Sequence, residues 1–510
     1  MRAADMQSTS QRIGTAMAWS VASRAGRFLL GFASSILVVR GLGDHDYGVL
    51  SAVRSVLMFV VLLSGFGTGQ SLLRFLPALR VARAGDGARD LVRRVVWIHA
   101  AAWLVMVALA LCFRGGIERL LHAPGVGMFV AIGVGLALFE VLFALLGNVL
   151  NAAYDTARLS AASLASHVVY IAALVPALRA GWGVAGVLAA AAAGNAVACA
   201  IIWPRIRAAV DWGGEPAPVV VEQRRFWRYS LPFAAIGVLN LIVWRQSETL
   251  LLAHFRTPEE TGYFDLAYRL PQTILEFVPG TVWPLVMAGM SEAYARDPGR
   301  LAGAVRRYYR MLFALCTPLC ILGAVLGGRA VPVLFGAAMA PAAVPTQLFF
   351  IIFTVSFLST PLSMVLYVLE KTPVNLLIYL VLAVINVGLD LILIPKFGVP
   401  GAMVPVAIAI ALQPVLYFSV VRRYVPGISI PFGFIGRCLL ASAPVVAGYA
   451  ILRAMSGPAG LAVAGAVALV LLAVSYRFAR IFEADELAAL RSIPVPLAAR
   501  VAQFLAPERS

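Results

Sequence analysis

The chain has 510 residues, 61% of them hydrophobic and only 13% charged, with a mean hydropathy of +0.89, a composition that excludes a water-soluble globular protein of this length. The formal net charge of +17 would suit a nucleic-acid binder, but the basic residues collect between apolar runs, where they report orientation in a membrane. Nucleic acid is therefore not expected as a partner.

Apolar stretches of about 20 residues, the length that crosses a bilayer core, fall at 17–39, 49–69, 95–113, 126–150, 160–178, 183–203, 229–253, 266–288, 311–333, 343–368, 375–395, 400–420, 434–453 and 458–476. They predict an all-α polytopic membrane protein with about fourteen transmembrane helices. The first run is of spanning length and lacks a small-residue cleavage site, so no leader is expected to be removed.

The first span carries Arg24 and Arg27 on a stripe with Ser20, Ser23, Gly31 and Ser34, spaced by threes and fours along one helical face. An arginine at the centre of a span costs roughly 2.5–3.5 kcal/mol on insertion scales. Such a stripe is expected to face water or a partner, although Arg24 is close enough to the helix end for its head to snorkel to the interface. Span 2 repeats the pattern with Ser51, Arg54 and Ser55, span 4 carries Glu140, Asn148, Asn151 and Asp155, and span 7 carries Asn240, Arg245 and Glu248. Arg245 and Glu248 are spaced to neutralise each other within the helix. Span 8 carries Asp265, Arg269, Gln272 and Glu276, and span 11 carries Asp390.

The second connection holds Arg74, Arg80, Arg83, Arg89, Arg93 and Arg94, the sixth Arg205, Arg207, Arg224, Arg225 and Arg228, and the eighth Arg296, Arg300, Arg306, Arg307 and Arg310. Odd-numbered connections are poor in basic residues, and the seventh, "HFRTPEETGYFD", is acidic. By the positive-inside rule the even connections and both termini are cytoplasmic. Five cysteines sit in apolar runs; Cys316 and Cys320 have helical spacing but no neighbouring His or acid to complete a metal site. Buried thiols are expected, with no metal and no cofactor.

Two anchors reveal an internal repeat. Gly48 of "RGLGDHDYGVL" falls on Gly262 of "HFRTPEETGYF" at an offset of about 214, and Gly183 and Gly186 of "GWGVAGV" fall on Gly398 and Gly401 of "KFGVPGA" at about 215. Six spans per repeat is an even number, so the halves enter the membrane in the same direction. The expected organisation is a cytoplasmic N-terminus (1–16), an N-terminal six-helix bundle (17–210), a cytoplasmic linker (211–228), a C-terminal six-helix bundle (229–423), helices 13 and 14 (424–480) and a cytoplasmic amphipathic tail (481–510). Two parallel bundles around a central cavity suit a transporter. Arg24, Arg27, Arg54, Arg245 and Arg269 would make that cavity cationic and its cargo anionic. Glu140, Glu248, Glu276 and Asp390 are candidates for ion coupling, with structural hydrogen bonding as the alternative.

The stretch "VRGLGDHDYGVLSAVRSVLMFVVLLSGFGTGQSLLRFLPAL", with Arg40, Leu42, Gly43, Tyr47, Gly48, Gly65, Gly69, Arg74 and Pro77, resembles the opening of bacterial polysaccharide flippases. These are the Wzx-type lipid-linked oligosaccharide exporters of the multidrug/oligosaccharidyl-lipid/polysaccharide exporter superfamily. Asp44 departs from the proline usual in that family, while the second half keeps Pro258 at the matching place. The resemblance implies export of an undecaprenyl-diphosphate-linked glycan from the cytoplasmic to the periplasmic leaflet of the bacterial inner membrane, for O-antigen, capsule or exopolysaccharide. Arg24 and Arg54 resemble, by their place in spans 1 and 2, the cavity arginines of lipid II flippases; the match does not extend to Arg27. Expected partners are the lipid-linked glycan, membrane lipids, and a polysaccharide polymerase and chain-length regulator, with the chain itself a monomer and not an enzyme.

Two other classes fit part of the pattern. A cation-coupled drug or metabolite exporter of the same superfamily would favour an acidic, aromatic cavity. A membrane glycosyltransferase or polymerase could use Asp44 and Asp46 as a metal-diphosphate pair, but helix capping at the start of span 2 also accounts for them.

Overall fold

The computed structural model describes residues 3–81, 84–153, 155–210, 221–242, 247–448, 457–483 and 503, with side chains from residue 25 onward except at 78, 80, 81, 207–210, 281, 282, 284, 285 and 288. Every regular element among them is helical. In chain order these are α1 (Ala3–Gly65), α2 (Thr68–Val81), α3 (Gly85–Cys112), α4 (Arg114–Leu121), α5 (Val126–Ala152), α6 (Thr156–Arg179), α7 (Gly183–Val210), α8 (Gln223–Leu241) and α9 (Ser247–Phe255). There follow α10 (Pro258–Arg296), α11 (Arg300–Phe335), α12 (Ala343–Ser356), α13 (Thr360–Val368), α14 (Thr372–Phe397), α15 (Val399–Tyr424), α16 (Phe432–Ala441), α17 (Ala443–Ala447) and α18 (Gly457–Phe478).

Ten helices among the described residues are long and apolar enough to cross a membrane. That tally does not reproduce the fourteen predicted runs, partly because the first two lie in one helix, α1, bent at Gly43 (φ 78°, ψ −176°). Only glycine adopts that conformation readily. Parts of predicted spans 7 and 13, and nearly all of the predicted amphipathic tail, lie outside the described residues.

The repeat anchors occupy matching turns. Gly183 before α7 and Gly398 before α15 both take positive φ, 52° and 59°, and each starts a helix that folds back on its predecessor. Gly186 and Gly401, one turn on, leave room for that approach: a Cβ at Gly401 would lie 2.3 Å from the Leu393 carbonyl oxygen, and one at Gly186 2.8 Å from the Trp182 Cβ. The other anchor pair touches itself. Gly48 lies against Pro258 so closely that a Cβ would fall 1.7 Å from its carbonyl oxygen, and Gly262 faces the Gly48 backbone. His45 Nδ1 meets Glu259 Oε1 at 2.7 Å, and these two residues are 214 apart in the chain.

The chain forms two compact units, one of residues 19–262 and one of residues 1–18 with 263–510. The first is built on Leu72, Leu76, Leu91, Leu145, Leu150 and Phe226, contributed by α2, α3, α5 and α8. Here α8, assigned by the repeat to the second half, packs on α2, where Ser71 and Ser230 share a buried 2.6 Å hydrogen bond. Likewise α9 joins α4, with the His254 carbonyl accepting from His122 Nδ1 at 2.8 Å. In the other unit α11, α12, α14 and α15 form the core and α16 to α18 lean on α11. Arg310 of α11 anchors them, stacked 4.3 Å from the Phe434 ring and paired with Glu483 at 2.9 Å.

Candidate functional site

Within the unit of residues 19–262, the second arm of α1 ends at Gly65, the first residue of "GFGTG", and the chain turns into α2 through Phe66 and Gly67, both at positive φ (45° and 70°). Gly67 has to be glycine twice over, since a Cβ there would also lie 2.2 Å from the Ser230 carbonyl oxygen. Because Gly65, Gly67 and Gly69 carry no side chains, the turn leaves a cavity of about 560 Å³, walled by apolar residues such as Met58, Leu62, Phe233 and Ile236 and by four polar ones, Gln70, His99, Glu140 and Asn240.

His99 Nδ1 lies 2.9 Å from the Val95 carbonyl oxygen. A carbonyl can only accept, so Nδ1 carries the proton. Its Nε2 edge then abuts Gly65, where a Cβ would stand 3.1 Å away, and is the acceptor turned toward the cavity wall. Glu140 of α5 interacts electrostatically with Arg54, which stands one turn before the lining residue Met58. The site thus combines a carboxylate with a guanidinium at hand, an imidazole of fixed tautomer, two amides and an apolar wall. It is equipped to hold a cation or proton at Glu140, with the positive charge of Arg54 nearby.

The remaining predicted residues are distributed as follows. Arg24 is on α1 but its side chain lies outside the described residues, as does Arg245 entirely. Arg27 is half-buried on α1. Glu248 is buried in the first turn of α9. In the other unit Arg269 pairs with Asp265 at 3.0 Å, and Gln272 donates to Glu276 at 3.0 Å. Asp390 is fully buried and accepts from Asn386 at 3.2 Å. Further buried polar groups there bond across helices, Ser359 to Gln413 at 2.6 Å and Tyr417 to Asn375, the kind of contact that holds helices together in lipid. The structure therefore sets Glu140 within electrostatic reach of Arg54 without a direct ion pair between them, and pairs Arg269 directly with Asp265.

Sequence reasoning missed His99 and Gln70; the glycine triplet at 65, 67 and 69 was the available signal, since alternate glycines beside a span remove the wall that side chains would fill. Cys316, Cys320 and Cys438 are buried as expected, but Cys112, at the end of α3, is exposed. No group of three His, Cys, Asp or Glu residues among the described ones could hold a metal ion.

No curated protein matches the chain significantly in sequence. Among solved structures, a multidrug resistance MATE family transporter of the MOP superfamily in an inward-facing conformation aligns with a TM-score of 0.68 at 16% identity, over 78% of this chain and 94% of that one. The lipid II flippase MurJ in its inward closed conformation aligns at 0.67 and 15% identity, over 90% and 99%, and a MOP superfamily transporter from Pyrococcus furiosus Vc1 at 0.54 and 16%, over 80% and 94%. Likeness at such identities establishes the fold. Residues 37–344, more than half of the chain, match the model of a family described as polysaccharide biosynthesis protein. The chain belongs to that family, and its fold is the one shared by the MATE transporters and MurJ.

Proposed function

We propose that this protein is a flippase that moves an undecaprenyl-diphosphate-linked oligosaccharide from the cytoplasmic to the periplasmic leaflet of the bacterial inner membrane by alternating access, supplying surface polysaccharide synthesis. The observation that carries this reading is membership of the polysaccharide biosynthesis family through residues 37–344, on a fold that aligns with a lipid II flippase over 90% of the chain. A lipid diphosphate presents planar acceptor geometry that guanidinium groups meet with paired hydrogen bonds, and Arg24, Arg27, Arg54, Arg245 and Arg269 are the proposed partners.

The Arg54–Glu140 interaction supplies a coupling mechanism. A charge inside a span is tolerable when paired and expensive when alone. When cargo diphosphate neutralises Arg54, Glu140 loses the favourable field of that charge and gains a proton or cation from the cavity; release of cargo restores the original interaction. Glu248, Glu276 and Asp390 are further candidate carriers, Asp390 the least accessible because it is fully buried.

A second reading, a cation-coupled exporter of drugs or metabolites, is favoured by the apolar wall around Glu140. Complementation separates the two. A strain lacking this protein should accumulate lipid-linked intermediate and lose surface glycan, the wild-type chain should restore both, and Arg54→Ala at matched protein level should not. Unchanged surface glycan in the deletion strain, with increased sensitivity to small toxic cations, would overturn the flippase reading in favour of the drug exporter.

A further inference from the structure

The second and sixth connections, which the charge pattern assigns to the same side of the membrane, meet in the fold. Arg74 of α2 joins Arg224, Arg225 and Arg228 of α8 around a pocket of about 570 Å³ that also includes Phe75, Glu222 and Tyr229. This size is within the roughly 300–1,000 Å³ of small-molecule sites.

Two features separate this pocket from a solvated basic surface. The first is its floor. Phe75 is buried, stands edge-on to Tyr229 with centroids 5.5 Å apart, and carries the Arg225 guanidinium 5.5 Å above its ring. One turn away the Ser71–Ser230 hydrogen bond locks the two helices together. Stacking holds the guanidinium plane and leaves its N–H groups free to donate at the edge. The second feature is charge. On neighbouring α3, Arg89 pairs with Asp86 at 2.7 Å, and Arg93 and Arg94 pair with Asp90 at 3.2 and 2.9 Å. The four pocket arginines make no ion pair among the described residues, and Glu222 is the lone carboxylate in the lining. Four cations against one anion leave three charges to be met by a ligand.

Location narrows the ligand. Residues 222–228 directly precede the predicted span 229–253, which puts the pocket at headgroup level, and Trp227 beside it packs edge-on to Phe66 at 6.4 Å, as interfacial aromatics do. Basic groups in that position draw anionic lipid. We propose that the α2–α8 pocket binds the phosphate or diphosphate headgroup of a membrane lipid at the cytoplasmic surface. Two lipids offer this chemistry, a polyprenyl diphosphate such as the proposed cargo and a resident phospholipid such as cardiolipin. The site stands whether or not the export reading does, because its readout is binding and not transport.

The test uses the purified full-length protein with undecaprenyl diphosphate, cardiolipin and inorganic pyrophosphate as separate probes, with bound ligand read by native mass spectrometry. The double variant Arg224→Gln/Arg228→Gln should bind the lipid probes at least about tenfold more weakly, each charge-assisted hydrogen bond being worth that much or more. Arg224→Lys/Arg228→Lys should recover part of the loss. The control Arg306→Gln/Arg307→Gln, two exposed arginines of the eighth connection, should bind as wild type. Preference for undecaprenyl diphosphate assigns the pocket to cargo, and preference for cardiolipin assigns it to a resident lipid; either supports the site. Undiminished lipid binding by the pocket variant, an equal loss in the control, or binding of pyrophosphate with neither lipid would overturn it.

Discussion

On one side of the Ser71–Ser230 hydrogen bond, the seam between α2 and α8 leads to a cavity of about 560 Å³ with Glu140 and His99 in its wall. On the other side it leads to a pocket of about 570 Å³ ringed by four arginines. The two hollows are nearly equal in size and share both helices, yet they treat charge oppositely. Inside the span, Arg54 has the charge of Glu140 within electrostatic reach, and in the other unit Arg269 pairs with Asp265 at 3.0 Å. Arg74, Arg224, Arg225 and Arg228 are exposed around their pocket with a single carboxylate among them. The difference follows from solvation: an unpaired charge is cheap where water reaches it and costs several kcal/mol where it does not. A lone arginine at a membrane surface is therefore available for a ligand, whereas one within a span must exchange partners to bind anything.

The largest expected effect removes the partition itself. Gly67→Ala forces a side chain into positive φ and onto the Ser230 carbonyl oxygen, and should destabilise the protein by about 3 kcal/mol or more. Thermal melting in detergent would register it. Gly116→Ala, where a Cβ meets nothing within 4 Å, should melt as wild type, and equal melting of the two variants would mean that the helices do not approach as described.

The next effect sharpens the contrast between paired and unpaired charge. Glu140→Ala should cost up to about 1 kcal/mol by removing the carboxylate charge near Arg54, and Arg54→Ala/Glu140→Ala should cost less than the sum of the single changes. Arg224→Gln, on the exposed rim, should stay within about 0.5 kcal/mol of wild type. Additive losses at Arg54 and Glu140 in a melting-based double-mutant cycle would deny that they act as a pair.

The smallest effect is a pH dependence at the acidic seventh connection. The hydrogen bond from His45 holds the Glu259 carboxyl below its ordinary value of 4.5. A depressed carboxyl stabilises the fold above about pH 4.5 and loses that contribution as pH falls through the lowered folded value. The difference in melting temperature between wild type and His45→Ala should therefore be present at pH 6 and shrink as pH drops below 4.5. A difference that grows on acidification would contradict the pairing.

Much of the fold was legible because it depends on local rules. Apolar run length marks the spans, and turn glycines recur at one offset because the same backbone conformation recurs, as the matching φ values of Gly183 and Gly398 show. Polar stripes located Arg54 and Glu140 individually. Their electrostatic interaction was not legible, because it depends on how the second arm of α1 packs beside α5, and nothing in either segment names the other. The arginine pocket was hidden for the same reason: the residues that clamp it, Ser71 and Ser230, are 159 apart in the chain. The positive-inside rule explains why basic residues occupy each connection, but not which connections meet. Helices α8 and α9 show the limit of the repeat as well, since sequence symmetry groups them with the second half while their packing joins them to the first.

The central claim, that cargo diphosphate and Glu140 exchange at Arg54, is tested most directly by purified protein in sealed liposomes with a lipid-linked oligosaccharide placed in one leaflet. Its appearance in the other leaflet can be followed by a glycan-cleaving enzyme added outside. Wild-type protein should transfer the lipid, Arg54→Ala should abolish transfer, Arg54→Lys should recover part of it, and Glu140→Gln should uncouple transfer from an imposed proton or sodium gradient. Full transfer by Arg54→Ala, with gradient dependence unchanged in Glu140→Gln, would contradict the account.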